Sequence, residues 1–148
     1  MLRRGMNKKQ TVVLETHLKK FGMKRCPIDN SINLIGKKFT IHIIRNMAML
    51  NQNRFSQFLK SIEGINGKTL SQRLQEMENE KLIERRVLNH RPIQVEYSLT
   101  KKGMALEPLL SLLASFSMKY NSHEIFPDKK PKTLKKAFGT EHLSELYD

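Results

Sequence analysis

Cysteine is nearly absent from this chain: Cys26 is the only one among 148 residues. No intramolecular disulfide can form, and a reducing interior is the expected setting. One cysteine and five dispersed histidines also leave no zinc-ligand spacing, so no metal site is expected. No apolar run approaches the roughly 20 residues that a membrane-spanning helix needs. The basic N-terminus lacks the apolar stretch of a secretory signal. A cytoplasmic protein without a membrane partner is the expectation. There is no Gly-rich phosphate loop. No paired acid and base, activated nucleophile or metal-ligand set is recognisable, so neither an enzyme nor a cofactor is expected.

Acidic residues are also scarce. Twenty-seven Lys and Arg stand against 14 Asp and Glu, a formal charge of +13. Such a balance points to a polyanionic partner, nucleic acid before an anionic membrane surface. The excess is uneven. Residues 1–25 hold eight basic side chains and one acid, residues 26–120 hold 14 and 8, and residues 121–148 balance at 5 and 5. The basic field therefore lies on the N-terminal arm and the middle of the chain.

Hydrophobic spacing gives the element order. Residues 1–10 are polar and basic, with no apolar period, and are expected to be a mobile arm. Val13 or Leu14, His17, Leu18 and Phe21 recur at helical spacing until Gly22. From Ile28 to Leu50 the steps of three and four through Ile32, Ile35, Phe39, Ile43 and Met47 predict one long helix, with Asp29 or Asn30 as its N-cap. "FSQFLKSI" predicts a short helix with Phe55, Phe58, Leu59 and Ile62 inward. "EGING" is a turn, and a helix follows over about 66–81, with Leu70, Leu74 and Met77 on its inner face.

After Leu82 the period becomes two. Ile93, Val95, Tyr97 and Leu99 predict a half-buried strand paired with residues 83–88 across an "NHRP" turn. Thr100 caps a predicted helix over "KKGMALEPLLSLLASFSMKY", whose Leu106, Leu109, Leu110, Leu113, Phe116 and Tyr120 make more apolar surface than a small domain needs for itself. The tail holds two weakly amphipathic pieces, "TLKKAF" and "EHLSELY". The resulting division is a basic arm and short helix over 1–25, a main domain over 26–120, and a tail over 121–148.

A short helix, a glycine turn and a second helix form the helix-turn-helix arrangement, in which the second helix enters the major groove. The ribbon over 83–99 then reads as a wing, placed on the DNA backbone or the adjacent groove. Lys68, Thr69 and Gln72 project from the first turns of the reading helix. Lysine can donate to guanine, glutamine can pair bidentately with adenine, and a threonine methyl can touch thymine. Arg73, at the edge of the apolar stripe, suits a phosphate contact or an internal ion pair better. His90 and Arg91 form the basic wing tip.

Three segments, "CPIDNSINLIGKKF", "RFSQFLKSIEGINGKTLSQRLQEMENEKLIER" and "VEYSLTKKGMALEPLL", resemble in order and spacing the HxlR-type transcriptional regulators, a winged-helix group related to the MarR repressors. Where that family usually shows Gly-Gly-Lys-Trp, this chain has Gly36, Lys37, Lys38 and Phe39. The resemblance implies a mainly α fold with a two-stranded β wing, dimerisation through terminal helices, and double-stranded DNA as the partner. It carries no effector ligand with it. A homodimeric, sequence-specific regulator is the leading reading. A nonspecific architectural DNA-binding protein is the alternative that the charge also suits. A winged-helix protein-interaction module is a third, which Lys68, Gln72 and the basic wing oppose.

In this family the thiol matching Cys26 is sometimes an oxidant sensor, which makes Cys26 a candidate redox site. Its place before a helix N-terminus, beside Lys24 and Arg25, favours the reactive thiolate. The preferred reading is plainer: a small residue packed at a helix entry.

Overall fold

The computed structural model describes residues 8–138. Residues 1–7 of the basic arm and the "EHLSELY" piece lie outside the described residues. By its contacts the chain divides after Lys38.

The N-terminal unit holds α1 (Lys8–Lys20) and α2 (Pro27–Ile35). Lys8, Lys9 and Gln10, expected in a mobile arm, are helical. Gly22 ends the α1 turn in the left-handed conformation, φ 68°, while Met23 N–H donates to the Leu18 carbonyl at 2.9 Å. Cys26 is the N-cap of α2, with Pro27 in the first turn, so neither Asp29 nor Asn30 fills that place. Proline suits the first turn because the N–H it lacks would have no helical partner there.

The long helix predicted over 28–50 is two helices. Gly36 closes α2, its N–H donating to the Ile32 carbonyl at 2.7 Å. Phe39 then takes a left-handed conformation, φ 76°, before α3 (Thr40–Leu50) begins. The apolar spacing runs through this break because periodicity reports which residues turn inward, not whether the backbone between them is helical.

In the second unit α3 is followed by α4 (Phe55–Ser61), α5 (Gly67–Asn79), β1 (Ile83–Leu88) and β2 (Gln94–Leu99). Then come α6 (Lys101–Met104), α7 (Glu107–Tyr120), α8 (Ser122–Ile125) and α9 (Leu134–Phe138). The core gathers Ile43 and Ile44 of α3, Phe58 of α4, Leu70 of α5 and the Leu82–Ile83 pair, all almost fully buried. Leu59, expected inward, is 40% exposed. The predicted helix over 101–120 is broken at Ala105–Leu106. Pro108 accounts for the break, since it fits only the first turn of a new helix, here α7. Beyond α8, Asp128 accepts the Lys130 N–H at 3.2 Å and pairs with Lys132 at 3.2 Å. These donors hold its carboxyl below the usual range.

The ribbon is antiparallel, with Ile83 opposite Leu99, Arg85 opposite Tyr97 and Val87 opposite Val95. Its root is buried and its far end is not: Ile83 is 1% exposed, Val87 44%. Ile93 falls outside the strand and is exposed, although the alternation placed it inward.

The ribbon root is clamped to the end of α5. Thr100 N–H donates to the Leu82 carbonyl at 3.0 Å, and Thr100 Oγ1 lies 2.6 Å from the Lys81 carbonyl oxygen. The same Oγ1 accepts the Gly103 N–H at 3.1 Å, capping α6 as expected. Lys102 Nζ donates to the Glu80 carbonyl at 2.7 Å. Gly103 is buried against this clamp, and a Cβ there would collide with the Leu82 carbonyl oxygen and press on Leu99 Cδ2. The Gly103→Ala variant is therefore expected to lose about 1–3 kcal/mol of stability. Guanidinium unfolding followed by circular dichroism measures this; an unchanged midpoint would mean that the backbone here yields freely.

Candidate nucleic-acid interface

Helix α4, the turn after it and α5 form a helix-turn-helix. The turn needs a left-handed residue, and Gly64 supplies it at φ 76°. Asn66 then caps α5, its Oδ1 accepting the Thr69 N–H at 2.8 Å. Below the cap, Leu70, Leu74 and Met77 are buried, each 2% exposed or less. Their burial dictates which residues of α5 face outward.

The outer stripe holds Lys68, Ser71, Gln72 and Gln75, all exposed and spaced by three and four. Lys68 and Gln72 thus lie together where the spacing placed them. Thr69 is half-buried beside the cap. Ser71 and Gln75 complete the stripe; the sequence spacing already puts Gln75 on this polar face, whereas Ser71 carries only a small hydroxyl as its signal.

Arg73 stands apart from this stripe. Its side chain is 16% exposed and pairs with Glu76 at 2.9 Å. Gln72 Nε2 donates to the other carboxylate oxygen of Glu76 at 3.3 Å. Glu76 thus holds two neighbours by one group. Of the two roles considered for Arg73, the internal ion pair is the one the geometry provides.

In the ribbon, His90 and Arg91 occupy the exposed tip, beyond the paired strands. They are separate in sequence from the α5 stripe but belong to the same unit of the fold. Arg85 and Arg86 are two further exposed cations on β1. Adjacent strand positions point to opposite faces, so the two guanidiniums serve both sides of the wing. The "ERR" at the start of β1 was their signal, read only as strand sequence. Cys26 lies in the N-terminal unit, half-buried at the entry of α2.

Among the described residues, no three His, Cys, Asp or Glu side chains are grouped to hold a metal ion. No helix of the described residues is long and apolar enough to cross a membrane.

Comparison with known proteins agrees with this geometry. YodB of Bacillus subtilis (strain 168), an HTH-type transcriptional regulator, is 33% identical over 97 residues, covering 65% of this chain and 86% of that protein. YvaP of the same organism, described as an uncharacterized HTH-type transcriptional regulator, is 31% identical, covering 64% and 88%. The reduced form of YodB superposes with a TM-score of 0.56 at 31% identity, over 65% of this chain and 94% of that one. The oxidized redox regulator HypR superposes with a TM-score of 0.56 at 29% identity, over 62% and 94%. The sequence model for the HxlR-like helix-turn-helix matches residues 34–125. With a capped second helix, a two-stranded wing and a match over most of its length, the chain belongs to the HxlR-like helix-turn-helix family of transcriptional regulators.

Proposed function

We propose that the chain is a homodimeric regulator that binds specific sequences of double-stranded DNA in the cytoplasm. Helix α5 lies in the major groove and the wing lies on the flanking backbone or groove. One observation carries this reading: the outward stripe of Lys68, Ser71, Gln72 and Gln75 on a helix whose opposite side is fully anchored. Such a face offers donors and amides to base edges. Lys68 and Gln72 read bases, and Thr69 contributes its methyl group at the edge. Arg73 steadies the helix through Glu76. His90 and Arg91 take phosphates, with Arg85 and Arg86 behind them. The basic arm within residues 1–25 adds sequence-independent attraction.

The dimer reading rests on apolar surface that is exposed among the described residues. Leu113, Phe116 and Tyr120 of α7 are 50%, 51% and 61% exposed. In the N-terminal unit Val13, Phe21 and Ile28 are also more than half exposed. A second copy covering these faces places two reading helices in successive major grooves, about 34–36 Å apart. Sedimentation should give a dimer at micromolar concentration, and Phe116→Asp should shift it toward monomer with weaker DNA binding. A monomeric wild type that binds DNA fully would sink the dimer.

Specific recognition is tested with fragments selected from genomic DNA by the purified chain. Gln72→Ala should change the preferred base at one position per half-site, by roughly 1–3 kcal/mol of discrimination. Arg91→Ala should weaken binding to all sequences and reduce the salt slope by about one unit. Equal losses for every operator variant in Gln72→Ala would remove α5 from the groove. If no fragment is preferred over random DNA at fixed salt, the architectural reading replaces the regulator.

A further inference from the structure

Helix α3 buries an amide where a hydrocarbon would be expected. Asn46 is 0% exposed, between Ile43, Ile44 and Met47, which are all buried. Its hydrogen bonds are complete. Nδ2 donates to Gln52 Oε1 at 3.0 Å and to Ser61 Oγ at 2.8 Å, and Oδ1 accepts from Arg45 Nε at 2.9 Å. Its main-chain carbonyl also accepts the Gln52 N–H at 3.2 Å. A buried amide of this kind stabilises no better than an apolar side chain of the same branching, since its bonds mainly replace bonds to water. What it adds is a fixed geometry.

That geometry concerns α4. Ser61 is the last residue of α4, so the Asn46 bond ties down its C-terminal end. The N-terminal end is tied to the wing. Gln57 Oε1 accepts the Asn53 and Arg54 N–H groups at 2.9 and 3.0 Å. The Asn53 carbonyl accepts the Tyr97 N–H of β2 at 2.8 Å, and Arg54 pairs with Glu96 of β2 at 3.3 Å. The Phe58 and Tyr97 rings meet edge-on at 6.5 Å. Helix α4 also packs against α5. It therefore touches both the reading helix and the wing, held at one end by Asn46 and at the other by β2.

We propose that Asn46, through Gln52 and Ser61, is a positioning residue that sets the spacing of the wing from the reading helix, and so the match of the two to adjacent DNA contacts. This rests on the DNA-binding reading given above. Asn46 itself is fully buried and acts only through its neighbours. Arg45 and Ser61 are exposed and Gln52 is half-exposed, so removing the amide orphans no buried group.

The test compares the wild type with Asn46→Leu and, separately, Ser61→Ala, as full-length chains. The measurements are thermal midpoint, affinity for a selected operator and for random duplex, and the hydroxyl-radical footprint. Asn46→Leu should remain folded, lose about tenfold or more in operator affinity, and keep its affinity for random DNA. Protection under the wing should weaken or move while protection under α5 persists. Ser61→Ala should show the same pattern to a smaller degree, and it keeps the test valid should Asn46→Leu fail to fold. A folded variant with wild-type operator affinity and footprint would overturn the proposal. So would parallel losses on operator and random DNA, which indicate general destabilisation. A wild type that prefers no sequence would instead refute the regulator reading itself, a distinct outcome.

Discussion

The seating of α5 is the constraint on which the rest of the molecule depends. Leu70, Leu74 and Met77 lie on one side of the helix and are almost wholly buried. Each such side chain contributes roughly 1.5–3 kcal/mol on leaving water. A rotation of the helix by one position would expose this stripe and bury Lys68 or Gln72, at a cost that no single polar contact could offset. The outward face is thus chosen by the inward one. Asn66 and Gly64 set where the helix starts, and the Thr100–Leu82 clamp sets where it ends. Between these stops the ends of α5 are fixed by named contacts, as the proposed reading of a rigid duplex requires.

Most of this arrangement was legible in the sequence, for a physical reason. Leu70, Leu74 and Met77 obey the helical period, Ile83–Leu88 and Gln94–Leu99 fall on either side of a turn, and Thr100 is a cap wherever it is read. Local chemistry and tertiary structure agree at these points. The errors have one cause in common. The long helix over 28–50 and the one over 101–120 were joined across breaks because apolar spacing continues through them. Phe39 in the left-handed region and Pro108 at a new helix start are backbone events, and side-chain periodicity does not report them. Alternation and helical spacing alone point Leu59 and Ile93 inward, yet Leu59 is 40% exposed and Ile93 sits at the uncovered far end of the ribbon, where there is no core for it to enter.

The site was less legible than the fold. Lys68 and Gln72 were found because charge and amides stand out on a helix wheel. Ser71 shares their face and was overlooked. Arg73 illustrates the opposite limit. Its sequence position allowed either a DNA contact or an ion pair, and only geometry distinguishes them. The 2.9 Å bond to Glu76 draws the guanidinium toward the helix flank. The same carboxylate restrains Gln72, so an acid that would repel phosphate instead orders two neighbours. That gives Glu76 a structural role on the third turn of α5, while its first turn is free of acids.

The wing poses a different mechanical problem. A two-stranded ribbon has little stability of its own, and beyond Ile83 most of β1 is exposed while β2 is mostly half-buried here. It can act at a defined place on DNA only if its root is held from outside. Two sets of contacts do this. At the strand ends, Thr100 and Gly103 lock the ribbon to the last turn of α5. On the side of β2, Asn53 and Arg54 lock it to the start of α4. Neither set uses Arg85, Arg86, His90 or Arg91, which leaves these four free to vary in role without loosening the ribbon. Stability and recognition are thereby assigned to different atoms of the same twelve strand residues and their turn, and the residues that hold the ribbon's root are the ones through which α3, α4 and α5 can act on its position.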